Sequence, residues 1–140
     1  MDSPPISVVI PAFNAGAFLP AAVQSVLNQS YGSFELLIID DASSVKGLNV
    51  VVTGGNRGIG RGIAQAFAAR DARVHYYRNP ANLGVARSRN RGVALAQHSW
   101  IAFLDSDDRW RQDKLARQVA YLQIHPVDLV YTGYDFMDTA

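Results

Sequence analysis

Two patterns in the 140 residues predict an α/β fold: a three-layer, Rossmann-like domain with a mostly parallel sheet of about six strands and helices on both faces. Short apolar runs alternate with segments of helical period, the order that builds a parallel sheet through crossover connections. Most of those runs also end in a small, polar or acidic turn: "PAFN", "DDASS", "TGGNRGIG", "RNPANLG" and "DSDD". Turns that follow parallel strands share one rim, the carboxyl end of the sheet where such folds hold ligands.

The elements follow in order. "ISVVIPAF" is a β-branched run that proline ends, giving a buried strand over Ile6–Ile10. "AFLPAAVQSVLNQ" carries Leu19, Val23, Val26 and Leu27 at helical spacing. "FELLIID" is the second strand and "LNVVVTG" the third, with a helix after it amphipathic over Ile59, Ile63, Ala66 and Phe67. "RVHYYR" is a fourth strand, followed by the loop "NPANLG" and the helix "VARSRNRGVALAQ". "WIAFLD" is a fifth. The helix "RQDKLARQVAYLQI" sets Leu115, Val119 and Leu122 on one face, and "DLVYTGY" is a sixth strand. No repeat or linker divides residues 1–140, which read as a single domain.

Composition narrows the function. A net charge of +1 gives no electrostatic case for nucleic acid or an anionic membrane surface. The absence of cysteine excludes disulfides, thiolate metal sites and a cysteine nucleophile. "MDSPPIS" lacks the basic start and apolar stretch of a signal peptide, and no apolar run nears the ~20 residues of a membrane span. A soluble, cytoplasmic domain is expected, with the oligomeric state open.

"FLDSDD" sets Asp105, Asp107 and Asp108 at the end of an apolar strand. Alternate residues there project to one side, so Asp105 and Asp107 suit one Mg²⁺ or Mn²⁺, with a diphosphate completing the shell. The competing reading is that Asp107 or Asp108 caps the next helix. Asp40 and Asp41 in "IIDDASS" suit hydrogen bonds to a nucleobase or ribose, or a simple turn. The arginines Arg87, Arg89 and Arg91 read individually as solvated helix-face residues, and Trp110 as core. His75, His98 and His125 are scattered and receive no role.

Taken together, "SVVIPAFNAGAFLPAAVQSVLNQSYGSFELLIIDDASS", "NPANLGVARSRNRG" and "WIAFLDSDD" resemble the family 2 glycosyltransferases of the GT-A fold, over roughly residues 6–44 and 73–138. The resemblance implies transfer of a sugar from a nucleotide-sugar donor, a UDP-sugar, through Mg²⁺ or Mn²⁺. It places Pro11, Ala12 and Asn14 beside the base and Asp41 on the uracil or ribose edge. Gly84, Arg89 and Asn90 match the family's asparagine-glycine and "ARN" signature, and Asp105 and Asp107 its DxD, with Asp107 the stronger metal ligand. The family's acceptor site and general base belong to a C-terminal half, so catalysis by these residues alone is expected to be incomplete; Asp135 and Asp138 follow the DxD too closely to take the base's role.

One stretch does not fit that family. Residues 45–72 resemble the N-terminal unit of short-chain dehydrogenases, with the fingerprint TGxxxGIG in Thr53, Gly54, Gly55, Asn56, Arg57, Gly58, Ile59 and Gly60. Glycines there let backbone approach phosphate, and a helix N-terminus adds partial positive charge. Arg57 would favour the 2′-phosphate of NADP, and Arg78 stands where an acidic residue would hold a free ribose hydroxyl. Dehydrogenase chemistry lacks its parts: no tyrosine has a lysine four residues on, and the lysines are Lys46 and Lys114. The unit reads as a strand–turn–helix grafted into a GT-A-like sheet, most simply by engineered recombination. The alternatives to a donor-binding glycosyltransferase portion are therefore an NADP-binding module and a chimeric scaffold without activity.

Overall fold

The computed structural model describes residues 3–43 and 60–137, in which strands and helices alternate. In chain order they are β1 (Ile6–Ala12), α1 (Leu19–Leu27), β2 (Phe34–Asp40), α2 (Gly60–Arg70), β3 (Val74–Arg78), α3 (Val85–Leu95), β4 (Trp100–Phe103) and α4 (Lys114–Ile124). The described sheet has four strands, all parallel, in the order β3-β2-β1-β4. Six were expected. "LNVVVTG" lies outside the described residues, and "DLVYTGY" forms no strand. Its backbone pairs with none of the described strands, and Leu129, Tyr131 and Tyr134 are 79%, 89% and 83% exposed.

Strand alternation sends side chains to two faces, and each face has its own helical cover. Val8, Ile10, Leu36 and Ile38 pack with Leu19, Ala22, Val23 and Val26 of α1, Ala64 of α2, and Leu115 and Val119 of α4. Val9, Leu37 and Ile39 form the opposite face, with Leu95 of α3 against it. The three layers expected from sequence are present in the described residues. The α2 stripe differs in detail: Ala64 is buried while Ala66 is exposed, because Ala64, Phe67 and Ala68 are the positions at helical spacing that meet the core. Ile59 lies outside the described residues.

α3 comes close to the sheet because Gly92 has no side chain. A Cβ there would stand 2.3 Å from Val9 Cγ1. At the amino end of the strands Glu35 is buried but satisfied, accepting from Ser7 Oγ at 2.6 Å and from the Gln97 amide at 2.7 Å. On the other side of the sheet, Gln29 ties α1 to α4. Its Nε2 donates to the Arg111 carbonyl at 2.7 Å, and its Oε1 accepts from the Leu115 amide at 3.0 Å. That bond satisfies one of the orphan first-turn donors of α4 from outside the helix.

The strand order reverses beside β1. β2 and β3 lie to one side of it, and β4 to the other. β1 pairs with β2 from Ile6↔Phe34 to Ala12↔Asp40, but with β4 only from Ile6↔Trp100 to Val9↔Phe103. β1 thus runs two residues past the Ile10 boundary expected from sequence, through Pro11. The ladder explains why proline is tolerated. The Ala12 carbonyl faces β2, where it accepts from the Asp41 amide, while the Val9 carbonyl faces the β4 side, where it accepts from Leu104. Pro11 shares the β4 side with Val9, and at Pro11 the pairing with β4 has already ended.

Candidate functional site

The point where the order reverses puts a crevice beyond the carboxyl ends of β1 and β4. Four segments meet there, and hydrogen bonds join them in sequence. Asp41, just past β2, donates its amide to the Ala12 carbonyl at 2.8 Å. Asn14 has φ 49° and donates its amide to Ser43 Oγ at 3.0 Å, joining the loops after β1 and β2. Ala42, between Asp41 and Ser43, has φ 56°, a left-handed conformation that costs a residue with a Cβ about 1 kcal/mol or more.

Asp41 then clamps the loop after β3. One oxygen accepts from Asn79 Nδ2 at 2.7 Å and the Leu83 amide at 2.8 Å, and the other from the Gly84 amide at 2.8 Å. The side chain is 3% exposed. Burial raises its pKa, but the bonds from Leu83, Asn79, Gly84 and Ser88 outweigh that, and the carboxyl titrates below its usual range. A carboxylate offers about four lone-pair positions, and these donors together with burial occupy most of what Asp41 has. Gly84 has φ 84° and ψ 161°, backbone open essentially only to glycine, and this conformation caps α3.

Asn79, in the loop expected after β3, is completely buried. Its amide donates to the Asp40 carbonyl at 2.8 Å, its Nδ2 to Asp41 and to Ser88 Oγ at 2.9 Å, and its Oδ1 accepts from Arg91 Nη1 at 2.6 Å. Arg91 also donates to the Arg78 carbonyl at 2.7 Å, so it is a loop anchor and not a solvated helix-face residue. A polar residue flanked by Arg78 and Pro80 carries the local signature of a turn; its partners lie far away along the chain.

The β4 end supplies the acidic turn. Arg89, on α3, reaches Asp105 with Nη2 2.5 Å from Oδ1. The structure therefore brings Arg89 and Asp105 together, and likewise Ala12, Asp41 and Gly84, with Asn14 joined through Ser43. Pro11 is buried in β1. Asn90 is not drawn in; it is exposed, on the side of α3 opposite the Ser88 and Gly92 stripe that meets the sheet. Asp107 and Asp108 are exposed, and no ion pair or side-chain hydrogen bond engages them among the described residues. Neither caps α4, which begins at Lys114 with Asp113 in the cap position. Partial desolvation, then the charges of Asp107 and Asp105, push the Asp108 carboxyl above its usual range.

That unpaired negative charge suits a hard divalent cation. Asp107 is a free oxygen donor two residues from Asp105, the one or two carboxylates that Mg²⁺ or Mn²⁺ takes from protein when phosphate supplies the rest. Among the described residues no group of three or more acidic or histidine side chains forms a closed metal cage. Of the glycine fingerprint, Thr53, Gly54, Arg57, Gly58 and Ile59 lie outside the described residues, and Gly60 opens α2. Arg78, standing where an acidic residue would hold a free ribose hydroxyl, reaches across to the end of β2 and the loop after it, with Nη2 3.3 Å from the Ser43 carbonyl and Nε 3.7 Å from Asp40 Oδ2. After the acidic turn, Arg109, Trp110 and Gln112 line an open groove of about 510 Å³ with Ala21, Gln24, Ser25 and Asn28, and none of the predicted site residues borders it. No described helix is long and apolar enough to cross a membrane.

Known proteins are similar to this chain in family and in fold. The model of the family described as "Glycosyl transferase family 2" matches residues 7–138. A glycosyltransferase of Bacillus subtilis (strain 168), proposed for teichuronic acid biosynthesis, is 36% identical over 134 residues, which are 96% of this chain and 48% of that protein. The chain thus spans about half the length of that relative. Among solved structures, S. aureus TarS 1-349 in complex with UDP-GlcNAc superposes with a TM-score of 0.70 at 20% identity, over 87% of this chain and 32% of that one. A mannosyltransferase from Pyrobaculum calidifontis, in complex with GDP-Man and Mn²⁺, gives 0.69 at 20% identity, over 85% of this chain and 32% of that one.

Proposed function

The chain belongs to glycosyl transferase family 2, and from that premise we propose that its carboxyl rim is the donor site for a nucleotide sugar, a UDP-sugar, held with Mg²⁺ or Mn²⁺. The observation that carries the reading is that Asp41 bonded to Gly84 and Arg89 paired with Asp105 both lie at the carboxyl rim of a sheet whose order reverses beside β1, with Asp107 unpaired next to Asp105 among the described residues. Pro11, Ala12 and Asn14 form the floor on the β1 side, and Asp41, whose carboxylate holds the Leu83–Gly84 loop in place, is assigned to the base or ribose edge. Asp107 and Asp105 hold the cation, which stabilises the diphosphate as a leaving group. Arg89 adds guanidinium donors toward the same phosphates. Asn90 has no part in this assignment. The residues do donor binding; acceptor binding and the general base are assigned to none of them.

Residues 45–72 are read as a structural graft: α2 begins at the last glycine of the fingerprint and inserts Ala64 into the core beside α1. Among the described residues Arg78, which stands where an acidic residue would hold a free ribose hydroxyl, is engaged with Asp40 and Ser43 and offers NADP no contact.

Thermal unfolding tests both statements. UDP with Mn²⁺ at ~100 times its dissociation constant stabilises by about 2.7 kcal/mol, a rise of a few degrees at this size. The rise is expected to vanish in EDTA and in Asp107→Ala, and NADP is expected to produce none. A rise that persists in Asp107→Ala removes the metal assignment, and one with NADP alone restores the dinucleotide site.

A further inference from the structure

Arg89 and Asp105 are both residues the donor-site reading needs, yet here they engage each other. Arg89 Nη2 lies 2.5 Å from Asp105 Oδ1, with the two side chains 37% and 49% exposed. The rest of the guanidinium is under-used: Arg89 Nε is buried without a hydrogen-bond partner among the described residues. A guanidinium has five N–H donors and a strong preference for paired oxygens, so one exposed carboxylate leaves it poorly matched. The pair is also weakly held, as partly exposed ion pairs generally are. Beside it stands the acidic turn, where Asp107 and Asp108 are exposed and engaged by no ion pair among the described residues.

We infer that Arg89 is a placeholder cation: it occupies Asp105 until a diphosphate draws the guanidinium away, and only then is Asp105 free for the divalent ion. The inference rests on the donor-site reading and adds a binding order to it. A divalent ion arriving alone finds Asp105 taken and a positive charge beside it. A diphosphate offers Arg89 the paired oxygens it lacks and exposes Asp105 as it does so. Metal and nucleotide therefore assist each other, and by linkage the factor is the same in both directions.

Calorimetric titration of the chain with Mn²⁺ alone, with UDP in EDTA, and with Mn²⁺ at saturating UDP tests the order. UDP is expected to tighten Mn²⁺ at least about fivefold. In Arg89→Gln, Mn²⁺ alone binds tighter than to the parent and the assistance from UDP shrinks. In Asp105→Asn the guanidinium is already released, so UDP in EDTA binds tighter than to the parent. A positioning role for Arg89 predicts the reverse, weaker Mn²⁺ binding in Arg89→Gln. Mn²⁺ that binds the parent and needs Asp107, yet binds Arg89→Gln no tighter, overturns the placeholder alone. A parent that takes neither Mn²⁺ nor UDP with Mn²⁺ overturns the donor site and the placeholder together.

Discussion

Asp41 shows how far one side chain can be read from sequence. Its place after an apolar strand marks it as a rim residue, and the family resemblance gives it a ligand. Neither discloses that its carboxylate is mostly spent on Asn79, Leu83 and Gly84. Asn79 was illegible for the same reason: burial and partners far away along the chain have no local signature. The consequence is measurable through pH. Because the folded pKa lies below the unfolded value of about 3.9, the unfolded state binds more protons between the two. Asp41 therefore contributes stability that is fully present above the unfolded value and is lost as pH falls through the folded one. Urea unfolding from pH 2 to 7 is expected to show this acid loss reduced in Asp41→Asn. The variant should also be less stable at neutral pH by about 2 kcal/mol, the scale of losing hydrogen bonds to a charged acceptor.

Among the elements, apolar runs and helical spacing located β1 to β4 and all four described helices, because burial writes its period directly into sequence. The misses have separate physical causes. "DLVYTGY" has the pattern of a strand, but a strand exists only when a neighbour pairs with it. The Ala66 position failed because it lies two residues, about 200° of helical rotation, from Ala64, on the side away from the stripe of Ala64, Phe67 and Ala68. α3 carries the sharpest element-scale prediction. Gly92 lies against Val9, a fully buried β-branched residue with little rotameric freedom. Gly92→Ala is expected to destabilise by about 1–3 kcal/mol despite the better helix propensity of alanine, since the added methyl must push α3 off the sheet. A shift in the urea midpoint without a change in slope is the expected result.

For the molecule as a whole, stability resides in the sheet and its helices, while the segment after α4 remains outside the core. Leu129, Tyr131, Tyr134 and Phe136 are all at least 79% exposed, and Asp135 is held there by an exposed pair with Arg111 at 2.6 Å. Replacing those four apolar residues with serine is expected to leave the unfolding free energy within about 0.5 kcal/mol per substitution, while reducing binding of an apolar dye. Residue-scale networks at the rim and element-scale packing beneath it are thus independent of that surface. Pro11 has a further bearing on how such a domain diversifies. A backbone with nothing to donate toward β4 cannot extend the seam between the two strands, whatever side chains surround it. The mouth of the crevice is kept ajar by covalent structure, which leaves its lining free to be exchanged for other specificities without the sheet zipping shut behind the change.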